Sequence, residues 1–286
     1  DSAFDVSAAL ERRLKALRVR IVRDRAVSLE IADGTVRGVA GERGSYPADG
    51  VILATGGVSY PGTGSTGDGH RLAAEAGHTV TPLRGSLVPL QGVIAPGIPC
   101  VRLQGLSLRN IGLTVFENNK KLYTDFGELL FTHFGVSGPL ILSASAHMRY
   151  FDKKRYRLEI DLKPALDEQQ LDKRLLSDFG KYANHDFQNA LDDLLPQKLI
   201  PVVVQLSEIP GRQKVHDLTR EQRQSLLRVL KHFPVEISAP CPVEDAIVTS
   251  GGVKVSEIDP KSMESKLVKR LYFAGELIDT DAYTGG

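Results

Sequence analysis

The sequence predicts an α/β protein in which a parallel-sheet domain is interrupted by a β-rich segment and a helical segment. Two runs, 51–54 (VILA) and 271–274 (LYFA), are apolar at nearly every position, and a glycine turn follows each of them. Such runs are typical of strands buried on both faces of a parallel sheet. Because the two runs lie far apart in the chain, they predict one discontinuous α/β domain that contains a large insertion.

Composition excludes several classes of protein. The 286 residues are 42% hydrophobic and 25% charged, which is typical of globular chains and excludes general disorder. The net charge of +1 provides no overall attraction to nucleic acid or acidic lipid. No apolar run is long enough to span a membrane and no signal peptide is recognisable, so we expect a cytoplasmic protein. Cys100 and Cys241 each follow a proline, which predicts packing roles and neither a disulfide framework nor a metal site.

The N-terminal stretch predicts a helix followed by a β-hairpin. Asp33 and Gly34 separate two alternating apolar runs, which is a strong hairpin signal. Upstream of the hairpin, apolar residues recur at helical spacing at Val6, Leu10, Leu14 and Leu17.

A strand, a glycine-rich loop and a second helix come next. The strand at 51–54 ends in a Thr-Gly-Gly turn, and the loop occupies 59–69. We expect Asp68 to cap a helix that stops at Gly77. This order of elements suits a ligand site, because open parallel sheets bind ligands beyond the carboxyl ends of their strands.

The sequence pattern divides the rest of the chain into the insertion and the C-terminal part of the α/β domain. Short β-like runs separated by Gly, Pro and Asn predict an antiparallel insertion at 86–162 and 234–254. Leucines at helical spacing predict a helical subdomain at 163–233. The α/β domain then comprises 1–85 and 255–286.

Longer strings of residues resemble one bacterial family of flavoproteins. The strands at 51–57 (VILATGG) and 271–276 (LYFAGE) are similar to those of two-dinucleotide-fold flavoproteins. More specific strings are SYPGTGSTGDG at 59–69, FTHFGVSGP at 131–139, TSGGV at 249–253, MESK at 263–266 and DAYTGG at 281–286. By this resemblance the chain is identified as a member of the HI0933-like (BaiN-like) family of NAD(P)/FAD-dependent flavoproteins.

The resemblance implies a fold and also shows where this chain departs from the family. It implies an incomplete two-dinucleotide-fold FAD-binding domain, a β-barrel-like insertion and a helical subdomain nested in that insertion. The family opens with a strand and G-x-G-x-x-G, which is missing here. Gly62, Gly64 and Gly67 have that spacing, but they do not directly follow a strand. We therefore expect a piece of a longer protein that binds FAD weakly by itself.

The resemblance also implies a cofactor and the residues that contact it. The cofactor is FAD, with NADH or NADPH as a candidate reductant. Glu276 is expected to accept a hydrogen bond from a ribityl or ribose hydroxyl, the alternative being a solvated carboxylate. The expected cofactor-binding residues are Thr55, Gly56, Gly57, Thr63, Gly64, Gly275, Glu276, Gly285 and Gly286; for Gly57 a plain turn is the alternative.

His133 is the candidate catalytic residue. Histidine donates or accepts protons near neutral pH, as flavin half-reactions often require. A structural histidine held by one hydrogen bond is the alternative.

A basic run near the N-terminus raises the question of nucleic acid. A phosphate or RNA site is one interpretation, and a solvated helix face, which the net charge favours, is the other. The run consists of Arg12, Arg13, Lys15, Arg18, Arg20, Arg23 and Arg25.

Three functional hypotheses follow from these observations. The preferred one is an FAD-dependent oxidoreductase that acts on a small-molecule substrate. The alternatives are a flavin-binding protein without catalysis and a flavin enzyme acting on RNA. The substrate, the electron donor and the oligomeric state are left open.

Overall fold

Residues 3–280 are described by a computed structural model, in which they form a mixed α/β structure with two units. Within the described residues the first unit comprises 3–55, 67–81 and 253–278, and the second comprises 56–66, 82–252 and 279–280. The helices are α1 (Ala3–Ala16), α2 (Asp68–Glu75), α3 (Pro139–Ser145), α4 (Glu168–Lys181), α5 (Ile200–Ser207) and α6 (Arg220–Lys231). The strands are β1 (Ala26–Ala32), β2 (Thr35–Gly41), β3 (Ser45–Pro47), β4 (Val51–Leu53), β5 (Arg84–Ser86), β6 (Leu90–Ile94), β7 (Ile98–Pro99), β8 (Ser107–Glu117), β9 (Lys120–Phe131), β10 (Gly135–Ser137), β11 (Tyr156–Asp161), β12 (Phe233–Pro240), β13 (Val248–Ser250) and β14 (Leu271–Phe273).

The predicted N-terminal helix and hairpin are both present in the first unit. Helix α1 contains Val6, Leu10 and Leu14 and ends one residue before Leu17, and β1 pairs with β2 in the antiparallel sense. Asp33 and Gly34 have φ angles of 52° and 65°. Positive φ at both turn positions is what a two-residue type I′ hairpin requires, so the Asp-Gly prediction is confirmed.

The predicted parallel pairing is confirmed, but two-sided burial of the strand at 51–54 is wrong. Strand β4 pairs with β14 in parallel, with Val51 opposite Leu271 and Leu53 opposite Phe273. Val51 and Leu53 are buried, whereas Ile52 is 66% exposed. The pleat turns alternate side chains to opposite faces, so only one face of β4 contributes to the core of this unit.

Helix α2 begins one residue earlier than expected. Its N-cap is Gly67, at a φ of 81°, and Asp68 is already helical, so the prediction that Asp68 is the cap is wrong. The Asp68 carboxylate instead accepts two hydrogen bonds of 3.1 Å from the Arg25 guanidinium. An acidic side chain in the first turn still complements the helix dipole. At the other end, Gly77 has a φ of 93° just beyond the helix, where the sequence predicted a stop.

The second unit contains a closed six-stranded antiparallel barrel. Strands β10, β9, β8, β11, β12 and β6 are neighbours in that order, and β6 pairs back to β10 to close the ring. At the closure, a Cβ on Gly135 would lie 2.1 Å from the Leu90 carbonyl oxygen. Glycine is therefore required where these two backbones meet.

The helical segment lies between β11 and β12 of the barrel. Helices α4, α5 and α6 fall inside the stretch where leucine spacing predicted helices. Capping boxes start two of them, with Asp167 and Gln170 at α4 and Thr219 and Gln222 at α6. Their apolar faces and the inside of the barrel form one hydrophobic core. Within residues 3–280, no helix is both long and apolar enough to cross a membrane.

Candidate functional site

The carboxyl ends of β4 and β14 form the edge where the sequence places a ligand. Because the two strands are parallel and in register, Thr55 follows one strand at the same edge where Gly275 and Glu276 follow the other. The Ala274 amide donates a 2.9 Å hydrogen bond to the Leu53 carbonyl oxygen, which holds the two strand ends together. Three of the predicted cofactor residues therefore lie at one edge of the first unit.

The residues at this edge differ in how much space surrounds them. Gly275 has a φ of 76°, and within residues 3–280 no atom other than those of its chain neighbours lies within 4 Å of the position that a Cβ would occupy. Glu276 is half-buried. Thr55 has a packing role, since a Cβ on Gly69 of helix α2 would come within 1.9 Å of its Oγ1 atom. The open side of the edge is therefore at Gly275, and Thr55 supports the start of α2.

His70 is a residue at this edge that the sequence analysis missed. It is 4% exposed, and within residues 3–280 neither ring nitrogen has a hydrogen bond of ordinary geometry. Burial lowers its pKa, and the nearby Glu276 carboxylate and a weak hydrogen bond with the Leu277 backbone, outside ordinary geometry, oppose that shift. A buried imidazole without a well-formed hydrogen bond is uncommon in folded proteins. The signal in the sequence was its position in the first turn of a helix that follows a glycine-rich loop.

Residues 59–66 of the glycine-rich loop belong to the second unit, and Thr249 holds the start of this stretch. The Thr249 hydroxyl oxygen accepts hydrogen bonds of 2.8 Å from the Val58 amide and 3.1 Å from the Ser59 amide. This connects two of the family-like strings, at 59–69 and 249–253, which are remote in sequence.

Four predicted cofactor residues lie in or beside this loop. Gly56 has a φ of 73°, and a Cβ there would lie 2.9 Å from the Ser65 hydroxyl oxygen. Gly57 is buried. The Thr63 hydroxyl donates to the Tyr60 carbonyl oxygen at 2.8 Å, so its proton is used within the loop. Gly64 has a φ of 103° and open space around it.

His133 lies on the surface of the second unit. Its ring is exposed and meets the Phe134 ring edge-to-face, with 5.0 Å between the ring centroids. A solute can therefore reach the imidazole directly. Gly285 and Gly286, the last two predicted cofactor residues, lie outside the described residues.

The two cysteines and the basic run are placed as follows. Both thiols are buried and free, and burial raises the pKa of Cys100 to about 11 and also raises that of Cys241. Neither thiol is therefore activated as a thiolate. Arg25 of the basic run binds Asp68, whereas Arg12 and Arg18 are exposed. Among residues 3–280, no group of three or more His, Cys, Asp or Glu side chains is arranged to hold a metal ion.

Comparison with known proteins identifies similar sequences along the whole chain. Residues 84–248 match the model for the HI0933-like protein barrel and H2TH domain. Over 291 residues, the chain is 31% identical to a 3-dehydro-bile acid delta(4,6)-reductase of Clostridium scindens, covering 100% of this chain and 69% of that protein.

Two further relatives have a different name. A ribosomal RNA dihydrouridine synthase of Escherichia coli is 31% identical over 248 residues, covering 82% of this chain and 56% of the synthase. The Haemophilus influenzae protein of the same name is 30% identical over 237 residues, covering 82% and 55%. The chain thus spans little more than half the length of these two synthases.

Proposed function

The chain belongs to the HI0933-like family, and from this premise we propose that the complete protein is a flavin-dependent reductase of carbon–carbon double bonds conjugated to a carbonyl group. The observation that carries the proposal is the 31% identity with the bile acid reductase over 100% of this chain. The two synthases support it through the chemistry that their name implies.

The two names describe one type of reaction on different molecules. A delta(4,6)-reductase of a 3-dehydro-bile acid acts on double bonds conjugated to a C3 ketone. A dihydrouridine carries two more hydrogens than uridine, on the C5–C6 bond next to the C4 carbonyl. Each reaction needs a hydride equivalent at one carbon and a proton at its neighbour. A shared active site that delivers both is the simplest account of the similarity.

The described residues fit FAD at the edge formed by β4 and β14. Open space beside Gly275 would let backbone N–H groups approach the cofactor, and Glu276 can accept a hydrogen bond from a ribityl or ribose hydroxyl. The unpartnered ring nitrogens of His70 are polar groups that a bound cofactor would satisfy. When bound and reduced, the flavin would supply the hydride, which carries both electrons and which no side chain of the protein can provide.

The remaining predicted site residues are part of the same proposal. Gly56, Gly57, Thr63 and Gly64 would form the cofactor-facing loop, in which Gly64 leaves room for close approach. His133 would donate the proton to the substrate carbon, and its exposure makes it accessible for that role. NADH or NADPH would be the reductant.

A polynucleotide is the second candidate for the substrate. The two relatives named as ribosomal RNA dihydrouridine synthases favour it, since they match 82% of this chain. The reaction type would be unchanged, and only the molecule that carries the conjugated bond would differ.

Spectroscopy and turnover of the complete protein test the proposal. We expect a bound flavin spectrum, anaerobic bleaching by NADH or NADPH, and reoxidation by conjugated enones or by uridine-containing RNA. An alkene without a conjugated carbonyl is the control and should leave the flavin reduced. A bound flavin that neither nicotinamide reduces would favour the non-catalytic alternative, and the absence of flavin would refute the proposal.

A further inference from the structure

One row of side chains crosses the outer face of the barrel in the second unit. Lys121 on β9 lies opposite Phe116 on β8, Phe116 lies opposite Arg157 on β11, and Arg157 lies opposite Glu236 on β12. Directly opposed residues in a regular antiparallel ladder project from the same face, which applies to Phe116, Arg157 and Glu236. A register shift between Val115 and Phe116 adjoins the Lys121 pair, and Lys121 is exposed there. The register therefore brings a cation, an aromatic ring, a guanidinium and a carboxylate together, although they come from separate parts of the chain.

The guanidinium in this row is held in place. The Arg157 carbon Cζ lies over the Phe116 ring, 4.5 Å from its centroid. The same guanidinium donates a hydrogen bond to the Glu159 carboxylate. Its side chain remains 34% exposed. One side of Arg157 is thus covered by an aromatic ring while part of the group still faces solvent.

A cavity of about 420 Å³ adjoins this row. Phe116, Arg157 and Glu236 line it, together with Asn119 and Arg155. Its volume lies within the range of about 300–1,000 Å³ that is typical of small-molecule pockets. The cavity can therefore hold a single planar group.

The charged groups around this cavity are available to a ligand. Arg155 and Glu236 line the cavity, and Lys121 pairs with Phe116 beside it. All three are exposed, and within the described part of the chain none of them forms an ion pair. The neighbouring charges of Glu117 and Lys154 neutralise each other at 2.9 Å. The site thus offers two free cations and one free carboxylate beside a stacking surface.

We infer that this outer face of the barrel binds a base of single-stranded RNA together with its phosphate. Unpaired bases stack on aromatic rings and on guanidinium planes, which the Phe116–Arg157 pair provides. A carboxylate such as Glu236 accepts a hydrogen bond from an amino group on a base edge. Lys121 and Arg155 supply charge for the phosphate backbone. This inference rests on the RNA candidate above and adds the place where such a substrate is held.

Binding of a labelled RNA tests the site without flavin or turnover. The probe is a fluorescein-labelled single-stranded RNA of mixed sequence, and its anisotropy is measured on titration with the protein. Arg157→Lys keeps the positive charge but removes the planar guanidinium on which a base would stack. It should weaken binding at least about fivefold, which is the lower end of what stacking contributes per base. A plot of log association constant against log salt concentration has a negative slope. Lys121→Ala should make that slope less steep by about one.

A matched control separates this site from general attraction to charge. Lys173 on α4 is exposed and carries the same charge away from the cavity, so Lys173→Ala should bind RNA as the parent does. An RNA duplex of the same sequence should bind more weakly, because its bases are already stacked. The inference is overturned if the parent does not bind the single strand. It is also overturned if Lys173→Ala weakens binding as much as Lys121→Ala while Arg157→Lys has no effect.

The assay also distinguishes this inference from the proposed function. Lys121 is exposed, so its replacement is not expected to disturb the fold, and thermal unfolding of each variant checks this. Reduction of a small enone without RNA binding would refute the site and leave the reductase proposal intact. RNA binding without flavin chemistry would support the site and refute the reductase proposal.

Discussion

Ser265 and His78 are 187 positions apart in the sequence, yet the Ser265 hydroxyl oxygen lies 2.8 Å from Nε2 of His78. On the other side of the ring, Nδ1 of His78 is 3.1 Å from a Glu257 carboxylate oxygen. The order serine, histidine, acid has the form of a catalytic triad. The hydrogen bonds of the serine argue for a different role.

The Ser265 oxygen is fully engaged and buried. It accepts hydrogen bonds from the amides of Leu267 at 3.0 Å and Val268 at 2.8 Å, so its own proton is directed to His78. An oxygen with both lone pairs occupied cannot serve as a nucleophile. The three side chains therefore fasten the end of α2 to the segment at 257–268 within the first unit.

The first prediction concerns pH and this cluster. Burial lowers the pKa of His78, although Glu257 opposes the shift, so the folded protein binds a proton at His78 less readily than the unfolded chain does. Stability is therefore complete above the unfolded value near 6.5 and declines as the pH falls through and below it. We expect His78→Gln to cost about 1–3 kcal/mol at neutral pH and to flatten this decline. Denaturant unfolding between neutral and mildly acidic pH measures both effects.

The exposed His133 provides the control for that experiment. His133→Gln should leave the unfolding free energy at neutral pH nearly unchanged, because this side chain is exposed. Equal slopes for the parent and His78→Gln would show that His78 does not cause the acid sensitivity.

The second prediction separates flavin retention from turnover in the complete protein. Glu276 lies at the strand edge, so Glu276→Ala should weaken FAD binding by about 1–3 kcal/mol through the loss of a hydrogen bond to a bound hydroxyl. His133→Ala should retain the flavin and slow reoxidation by substrate. Fluorescence titration of the flavin-free protein gives the affinity, and stopped-flow absorbance gives the rates. Release of flavin by His133→Ala together with full retention by Glu276→Ala would reverse the two assignments.

The third prediction concerns His70 in the absence of flavin. In the part of the chain that the structure describes, its buried nitrogens have no hydrogen bond of ordinary geometry, and such groups cost about 1–3 kcal/mol when they are desolvated without compensation. His70→Phe should therefore match or exceed the stability of the flavin-free parent. If flavin binding satisfies these nitrogens, the same variant should bind FAD more weakly. Thermal unfolding with and without FAD tests both parts, and a large loss of stability without FAD would show that the imidazole is already satisfied.

The fourth prediction concerns closure of the barrel. A Cβ on Gly135 would lie 2.1 Å from the Leu90 carbonyl oxygen, so Gly135→Ala must separate β10 from β6 and should cost at least about 1–3 kcal/mol. Gly180 in α4 is the matched control, because nothing lies within 4 Å of its Cβ position. Gly180→Ala should stabilise the helix by about 0.5–1 kcal/mol. Opposite signs in the unfolding free energy are the expected result, and two neutral variants would contradict the closure geometry.

Elements that are determined by residues close together in the sequence were predictable. The Asp33–Gly34 hairpin, helix α1 and the helices between β11 and β12 follow from turn chemistry and from apolar spacing. These signals act over a few residues and need no knowledge of distant partners. The parallel pair of β4 and β14 was also predictable, because two apolar runs with the same glycine ending indicate one sheet.

Only the tertiary structure decided which remote groups meet. The closure of the barrel at Gly135, the orphaned imidazole of His70 and the contact between His78 and Ser265 depend on segments far apart in the chain. The exposure of Ile52 was likewise not predictable from the sequence, because an apolar run does not distinguish a strand covered on one face from a strand covered on both. Local propensity determines which elements form, whereas burial and pairing follow from how those elements pack together, because desolvation depends on all neighbours in space.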